Sequence, residues 1–355
     1  MFQPINPADN RAKPKTVVLL PLPGIGDMIW HVPVLAALAA NDSSGRIDLI
    51  AHENVPVGAL LGREKIVGSA MTLPTGRRMG QRLAALSLLT RGLRAGAYKR
   101  IVILHHSWRY ALGAWLAGIP EIRGYGFGPQ RYFLTQTDCL PPADRKLYPP
   151  RRAEKLLDLI GLSGHRKQPK LTRDPHAMRD MARAYATHPM PWAGFGIGAR
   201  EPVRCWPPER FAAVADALWQ AGWRSIFLLG SAGDAERAEA IAHACRTAKP
   251  ISVTNRPLDH TMAIIAQCAF MLSNDSGLMN IAAVLDVPSY VIASTLVSPA
   301  CFATVRQGEF SPHLRPIVPE GGIDPKTGAS KITVERALAK LCEDGILETR
   351  LTPES

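Results

Sequence analysis

The chain is poor in features that would tie it to a metal centre, a disulfide framework or a membrane-spanning segment. Its six cysteines (Cys139, Cys205, Cys245, Cys268, Cys301 and Cys342) are widely spaced and form no Cys-x-x-Cys pair, so buried, reduced thiols are expected. No stretch of about 18 residues stays apolar without Pro, Gly or a charge, which argues against a spanning helix. The opening residues, MFQPINPADNRAKPKT, have neither an apolar core nor a small-residue cleavage site. They read as the leader of a cytoplasmic protein rather than as a secretory signal. Nucleotide fingerprints are incomplete too. In LLPLPGIGDMIWHVPVLAAL, Gly24 and Gly26 are followed by Ile29 where a dinucleotide loop needs its third glycine, and no Gly-Lys-Ser/Thr follows. Asp48 stands near the spacing of a ribose-binding acid. Asp27, however, lies where a pyrophosphate would rest and would repel it.

What is present begins with apolar content: 46% of 355 residues, ample for more than one core. The charge is lopsided. Residues 1–175 hold 25 Lys and Arg against 12 Asp and Glu, an excess of 13, whereas residues 176–355 hold 17 against 18. Such a field draws in anionic partners, among them acidic lipid and phosphorylated or carboxylated substrates; it also serves simply to solvate a surface. No nucleic-acid reader motif or aromatic single-strand platform accompanies it, so nucleic acid is not an expected partner.

Apolar periodicity predicts strands over 16–22, 46–51 and 99–106, alternating with helices over 27–40, 79–93 and 109–119. A Pro- and Arg-rich linker, PPADRKLYPPRRAEKLLDLIGL, then runs into a helix from about Arg151. The alternation resumes with strands over 192–198, 224–230, 269–274 and 288–293 and helices over 207–222, 233–245, 259–268, 276–285 and 334–346. This pattern predicts two α/β units, 1–175 and 176–355, each a parallel sheet covered by helices on both faces. Two such units are expected to face each other across a cleft, with ligands at the carboxyl ends of the strands and the last helix packing back on the first unit.

Three loops carry candidate chemistry. Asp27 follows a strand and two glycines that are expected to make a tight turn, where a carboxylate is placed to act as general base on a hydroxyl; it is also a favoured helix N-cap, worth about 1 kcal/mol. In MLSNDSGLMNIAAVLDVP, Asn274 and Asp275 end a strand while Ser276 and Gly277 open a helix whose free amides suit a diphosphate. Asn280 lies one turn further on. In GFGIGAREPVRCWPPERFAAV, Gly196 and Gly198 form a turn and Arg204 offers a cation beside a phosphate, while Trp206 is expected to be core.

In this order, from about residue 16 to 293, these stretches resemble glycosyltransferase family 9, the ADP-heptose:lipopolysaccharide heptosyltransferases. GIGDMIWHVPVLAAL matches the family's Gly-x-Gly-Asp loop and its Pro-containing helix. RCWPPERFAAVADAL matches its Lys-x-Trp-Pro segment, LLGSAGDAERAEAI a strand-end typical of its second domain, and NDSGLMNIAAVLDVP its Asp-Ser/Thr-Gly-x-x-His segment. Arg204 stands where the family has Lys, Asn280 where it has His, and ASTLVSPACF matches poorly a Phe-Gly-Pro-Thr-Asp-Pro region. The resemblance implies an α/β GT-B fold, two Rossmann-like domains facing across a cleft. It implies inverting, metal-independent transfer of a sugar, by default heptose from ADP-heptose, with no cofactor beyond that nucleotide-sugar donor. Asp27 is then the catalytic base, and Gly198, Arg204, Asp275, Ser276, Gly277 and Asn280 contact the donor, held by the second domain. The acceptor, an anionic glycan or glycolipid such as lipopolysaccharide inner core, is expected on the basic first domain, where Gly26, His105 and His106 are candidate contacts. A basic cluster, Arg77, Arg78, Arg82, Arg91 and Arg94, suits acidic lipid or acceptor phosphate, or a solvated face, and peripheral contact with the inner face of the cytoplasmic membrane is a further expectation. The alternative is a non-catalytic member that binds nucleotide or anionic glycan without turnover.

Overall fold

The computed structural model describes residues 1–5, 12–74, 78–164, 167–293, 311–319 and 328–347. Arg77, Cys301 and residues 294–302 of the ASTLVSPACF stretch lie outside them. The chain divides into two compact units, Met1–Thr172 and Arg173–Ser355.

The first unit runs β1 (Gln3–Pro4), β2 (Thr16–Leu20), α1 (Ile25–Ala40), β3 (Ile47–His52), α2 (Val57–Leu61), β4 (Val67–Leu73), α3 (Met79–Gly96), β5 (Arg100–Ile103), α4 (Trp108–Leu116), β6 (Glu121–Gly124) and α5 (Pro149–Leu159). Its sheet has the order β1-β4-β3-β2-β5-β6, parallel except for the antiparallel edge strand β1. β2, TVVLL, is buried at every position, as expected of a β-branched central strand covered on both faces. α1 buries Met28 to Leu35 together with Leu38 and Ala39, and α5 packs against it.

The second unit runs α6 (Pro175–Ala184), β7 (Trp192–Gly196), α7 (Pro208–Gln220), β8 (Ser225–Leu229), α8 (Ala235–Ala244), β9 (Ile251–Ser252), α9 (Leu258–Ile265), β10 (Cys268–Asn274), α10 (Gly277–Val284), β11 (Ser289–Ile292), β12 (Leu314–Ile317) and α11 (Val334–Glu343). Its sheet is wholly parallel, in the order β12-β11-β10-β7-β8-β9. α11 buries Ala337 and Leu341 in the core of the second unit, against α7 and β12.

In each sheet the strand order reverses once, beside β2 and β5 in the first unit and beside β7 and β10 in the second. These are the switch points at which loops diverge and open α/β sheets bind ligands. The sequence reading missed β1, α2, β4, β6, α6, β9 and β12. The edge strands β1 and β12 each contain proline, and β9 has two residues, so none shows an apolar period. The five described cysteines are free, but Cys268 alone is buried; the other four are partly exposed.

Two buried ionisable groups of the first unit are structural. Asp48 is 1% exposed, accepts the Tyr98 hydroxyl at 2.5 Å and the Ser69 amide at 2.7 Å, and so cannot serve as a ribose-binding acid. Burial pushes its carboxyl above the usual range against these donors. Tyr98→Phe removes one donor from a buried carboxylate and is expected to lower unfolding stability by roughly 1–3 kcal/mol in a denaturant titration. His31, on α1, is fully buried; its Nδ1–H donates to the Asp27 carbonyl at 2.6 Å, and burial brings its pKa down to about 4. The unfolded chain therefore takes up a proton on this residue near pH 6.5, whereas the folded chain does so only near pH 4. The stability that neutral His31 contributes is full above pH 6.5 and is lost as pH falls toward about 4, by on the order of 3 kcal/mol. His31→Asn should flatten that part of the profile of melting temperature against pH.

Candidate functional site

The first unit places its chemistry at the ends of β2 and β5. α1 starts directly after β2, with Gly24 as N-cap at φ −94° and Ile25, Gly26 and Asp27 forming its first turn. Two expectations are corrected here. Asp27 is the third helical residue rather than the N-cap, where its charge still complements the helix dipole. Nor do the two glycines make the expected tight turn: neither has positive φ, and Gly26 lies within the helix. Gly24 is needed for a different reason. A Cβ there would sit 2.7 Å from Asp27 Oδ2, so the half-buried carboxylate folds back over the N-cap, into space that only glycine leaves open. One turn on, His31 ties its ring to the Asp27 carbonyl and fixes this turn from the core side.

His105 and His106 do not end a strand, since β5 stops at Ile103 and they lie in the loop beyond it. Their rings stack at 4.3 Å. His105 Nδ1 accepts the Ser107 amide at 3.0 Å, and its carbonyl accepts Gln130 Nε2 at 2.8 Å. Burial lowers the His105 pKa to about 3, with the charges of His106 and Arg152 adding to it; His106 is lowered by burial, then by Arg145 and Arg152. Both rings are thus neutral near pH 7, among guanidinium groups. Two adjoining cavities open here. One, of about 310 Å³, is lined by residues including Arg131, Cys139 and Arg145; the other, of about 240 Å³, by His106, Trp108, Arg109 and Arg145. Arg152, on α5, donates to the Arg145 carbonyl and lies over the Tyr125 ring at 5.7 Å, and its charge also reaches His31. Sequence reading missed Arg145, which sits in the Pro-rich stretch taken as a linker, and Arg152, which reads only as one charge at the start of a helix.

In the second unit the loops after β7 and β10 meet. Asn274, fully buried at the end of β10, accepts the Trp206 amide at 2.9 Å and donates to the Ile197 carbonyl at 2.6 Å. One amide side chain so fixes both loops. Trp206 is core, as expected, with its indole N–H on the Ile332 carbonyl. Ser276 is the N-cap of α10, yet its side chain does not cap the helix: Oγ is buried and has no hydrogen-bond partner among the described residues. Asn280 donates to the Ser276 carbonyl at 3.0 Å and is nearly buried. Arg204 Nη1 lies 3.9 Å from Asp275 Oδ2 and Arg204 Nε lies 3.0 Å from Glu201 Oε2. The structure therefore brings Arg204, Asp275, Ser276, Gly277 and Asn280 together at one switch point. Gly198 has another partner: a Cβ there would lie 2.4 Å from an oxygen of Asp234, whose Oδ2 accepts the amide and hydroxyl of Ser231. Asn274 and Asp234 were not among the predicted site residues. Asn274 was visible only as the end of a strand, and Asp234 as one charge in a helix.

Comparison with known proteins places this arrangement. The sequence profile of glycosyltransferase family 9 (heptosyltransferase) matches residues 87–292. The chain is 28% identical over 283 residues to lipopolysaccharide heptosyltransferase 2 of Escherichia coli K12, covering 74% of this chain and 78% of that one. The solved E. coli ADP-heptose lps heptosyltransferase II superposes with a TM-score of 0.71 at 24% identity, over 94% of this chain and 98% of that one. A family 9 glycosyl transferase from Veillonella parvula gives 0.74 at 20% identity, over 96% and 100%. The two Rossmann-like units are those of the GT-B fold, as the resemblance implied. With more than half its length matched by the profile, the chain belongs to glycosyltransferase family 9, the heptosyltransferase family.

Proposed function

We propose that the protein is an inverting glycosyltransferase that moves a sugar, heptose from ADP-heptose, to a hydroxyl of an anionic, lipid-linked glycan of the lipopolysaccharide inner-core type, on the cytoplasmic side of the membrane. The observation that carries this reading is the Asp27 carboxylate, held in the first turn of α1 at the switch point of the basic unit by a glycine that leaves it room. The acceptor hydroxyl gives its proton to Asp27 as its oxygen attacks the anomeric carbon. The bond from that carbon to the diphosphate breaks, the electron pair leaves with the nucleoside diphosphate, and the configuration inverts.

The diphosphate rests on the α10 amides at Gly277, with the Ser276 hydroxyl, unpartnered among the described residues, as a further donor. Arg204, flanked by Asp275 and Glu201, supplies a further donor to the diphosphate, while the fixed helix amides carry most of the stabilisation of the leaving group; this reading uses no metal ion. Asn280 bonds to the Ser276 carbonyl and shapes this loop. Gly198 acts by admitting Asp234. The acceptor's anionic groups suit the cavities that carry Arg109, Arg131 and Arg145, and the neutral His106 offers a hydrogen bond without competing charge. The E. coli relatives named above, a lipopolysaccharide heptosyltransferase and an ADP-heptose enzyme, support the choice of sugar and acceptor.

Asp27→Asn should lower kcat by roughly 10²–10⁴-fold while ADP-heptose binding, read by calorimetry, changes little. Normal turnover by that variant removes Asp27 from the chemistry; binding without turnover by the wild-type protein, across a panel of nucleotide sugars and glycolipid acceptors, favours the non-catalytic alternative. Turnover should also survive excess chelator, and its loss would show that a metal ion takes part.

A further inference from the structure

Six of the nine large apolar side chains exposed among the described residues lie on three neighbouring elements of the first unit: Met79 and Leu83 on α3, Trp108, Trp115 and Leu116 on α4, and Tyr132 on the short 3-10 helix Gly128–Phe133. These elements touch. α4 packs against both α3 and the 3-10 helix, the rings of Trp108 and Trp115 each lie 6.2 Å from Phe133, and Arg94 of α3 donates to the Leu116 carbonyl at 2.7 Å. Residues 78–84, spanning the first turns of α3, are all exposed, so Met79 and Leu83 project one turn apart from a helix that meets the body only further along. Exposure is high where it matters: 69% for Met79, 59% for Leu83 and for Trp115, and 79% for Tyr132.

The charge around these side chains has one sign. Between Glu64 and Glu121 the sequence contains no Asp or Glu, and it places Arg78, Arg82, Arg91 and Arg94 on or beside α3 and Arg109 on α4. All five are exposed. Apolar and indole side chains fringed by arginine, on three elements whose own sequences hold no acid, complement a bilayer surface with anionic headgroups. Trp and Tyr settle at the interface, leucine and methionine enter the acyl boundary, and guanidinium groups meet phosphates. A protein partner of complementary charge would need acidic rims around an apolar centre; a bilayer offers both over any area. The patch is also continuous with the proposed acceptor cavity, since Trp108 and Arg109 line the smaller chamber as well.

We propose that the face formed by the start of α3, α4 and the Gly128–Phe133 turn is a docking surface for an anionic lipid bilayer, which seats the cavity beside the headgroups. The inference rests on the lipid-linked acceptor proposed above for its purpose, but not for its measurement. The test is co-sedimentation of the full chain with phosphatidylcholine vesicles, with and without roughly one-third phosphatidylglycerol. Binding is expected to the anionic vesicles, to weaken with added salt, and to be far lower on neutral ones. Leu83→Glu/Trp115→Glu should reduce it by at least about tenfold, and Arg82→Gln/Arg91→Gln, which keeps the apolar residues, should abolish the preference for anionic lipid. A charge-reversed control in the other unit, Arg246→Glu/Lys249→Glu, should bind as the wild type does, and circular dichroism melts establish that each variant is folded.

The proposal is overturned if the wild-type protein shows no lipid-dependent sedimentation, if Leu83→Glu/Trp115→Glu binds unchanged, or if sedimentation velocity shows that the patch pairs two copies of the chain instead. Asp27→Asn must bind vesicles like the wild type. Failure of the catalytic reading and failure of this one are thereby separate results.

Discussion

Because crossovers are right-handed, a parallel sheet is covered by helices on both faces only if its strand order reverses, and at that reversal neighbouring loops run off to opposite faces and leave a gap. Asp27, His106, Arg204 and the Asp275–Asn280 segment all stand at such gaps. In the first unit the reversal falls beside β2 and β5, so Asp27 and the His105–His106 loop come from adjacent strand ends. In the second it falls beside β7 and β10, and a single buried side chain, Asn274, holds the two loops in register through two hydrogen bonds. An unpaired amide buried at that point would cost far more than either bond contributes, so the loop geometry is fixed by what its disruption would leave unsatisfied.

The two halves of the chemistry have opposite electrostatic characters. The β2–β5 region carries arginines around imidazoles that burial keeps neutral, and so presents donors and positive charge to an anion. The β7–β10 region carries one arginine between two carboxylates, with helix amides and a buried hydroxyl beside it. In the proposed reaction a leaving diphosphate there would gain most from fixed dipoles, which need not reorganise as charge develops.

Much of this was legible in the residues, and the parts that were not have physical reasons. The central strands and α1 announce themselves because they are buried on both faces and nearly continuous in apolar character. The edge strands β1 and β12 do not, since proline is tolerated there and the pattern that marks a strand is absent. Asp27 stood out by its place after two glycines, yet those glycines suggested a turn that does not exist; Gly24 is required by the carboxylate it faces, which is a contact in space and invisible in spacing. Arg145 hid in a proline-rich stretch that reads as a connector and folds as a short 3-10 helix. Gly198 looked like a phosphate-loop glycine, but the atom a side chain there would strike belongs to Asp234, 36 positions away in the chain.

The arginines along α3 have a second effect that follows from their sign. Sticky side chains such as Leu83 and Trp115 would ordinarily draw two molecules together in solution, and the same guanidinium groups that fringe them make any such encounter a meeting of like charges. Repulsion of this kind fades as ionic strength rises, so concentrated stocks of the protein should stay clear in dilute buffer and turn cloudy as salt is added, the reverse of ordinary salting-in.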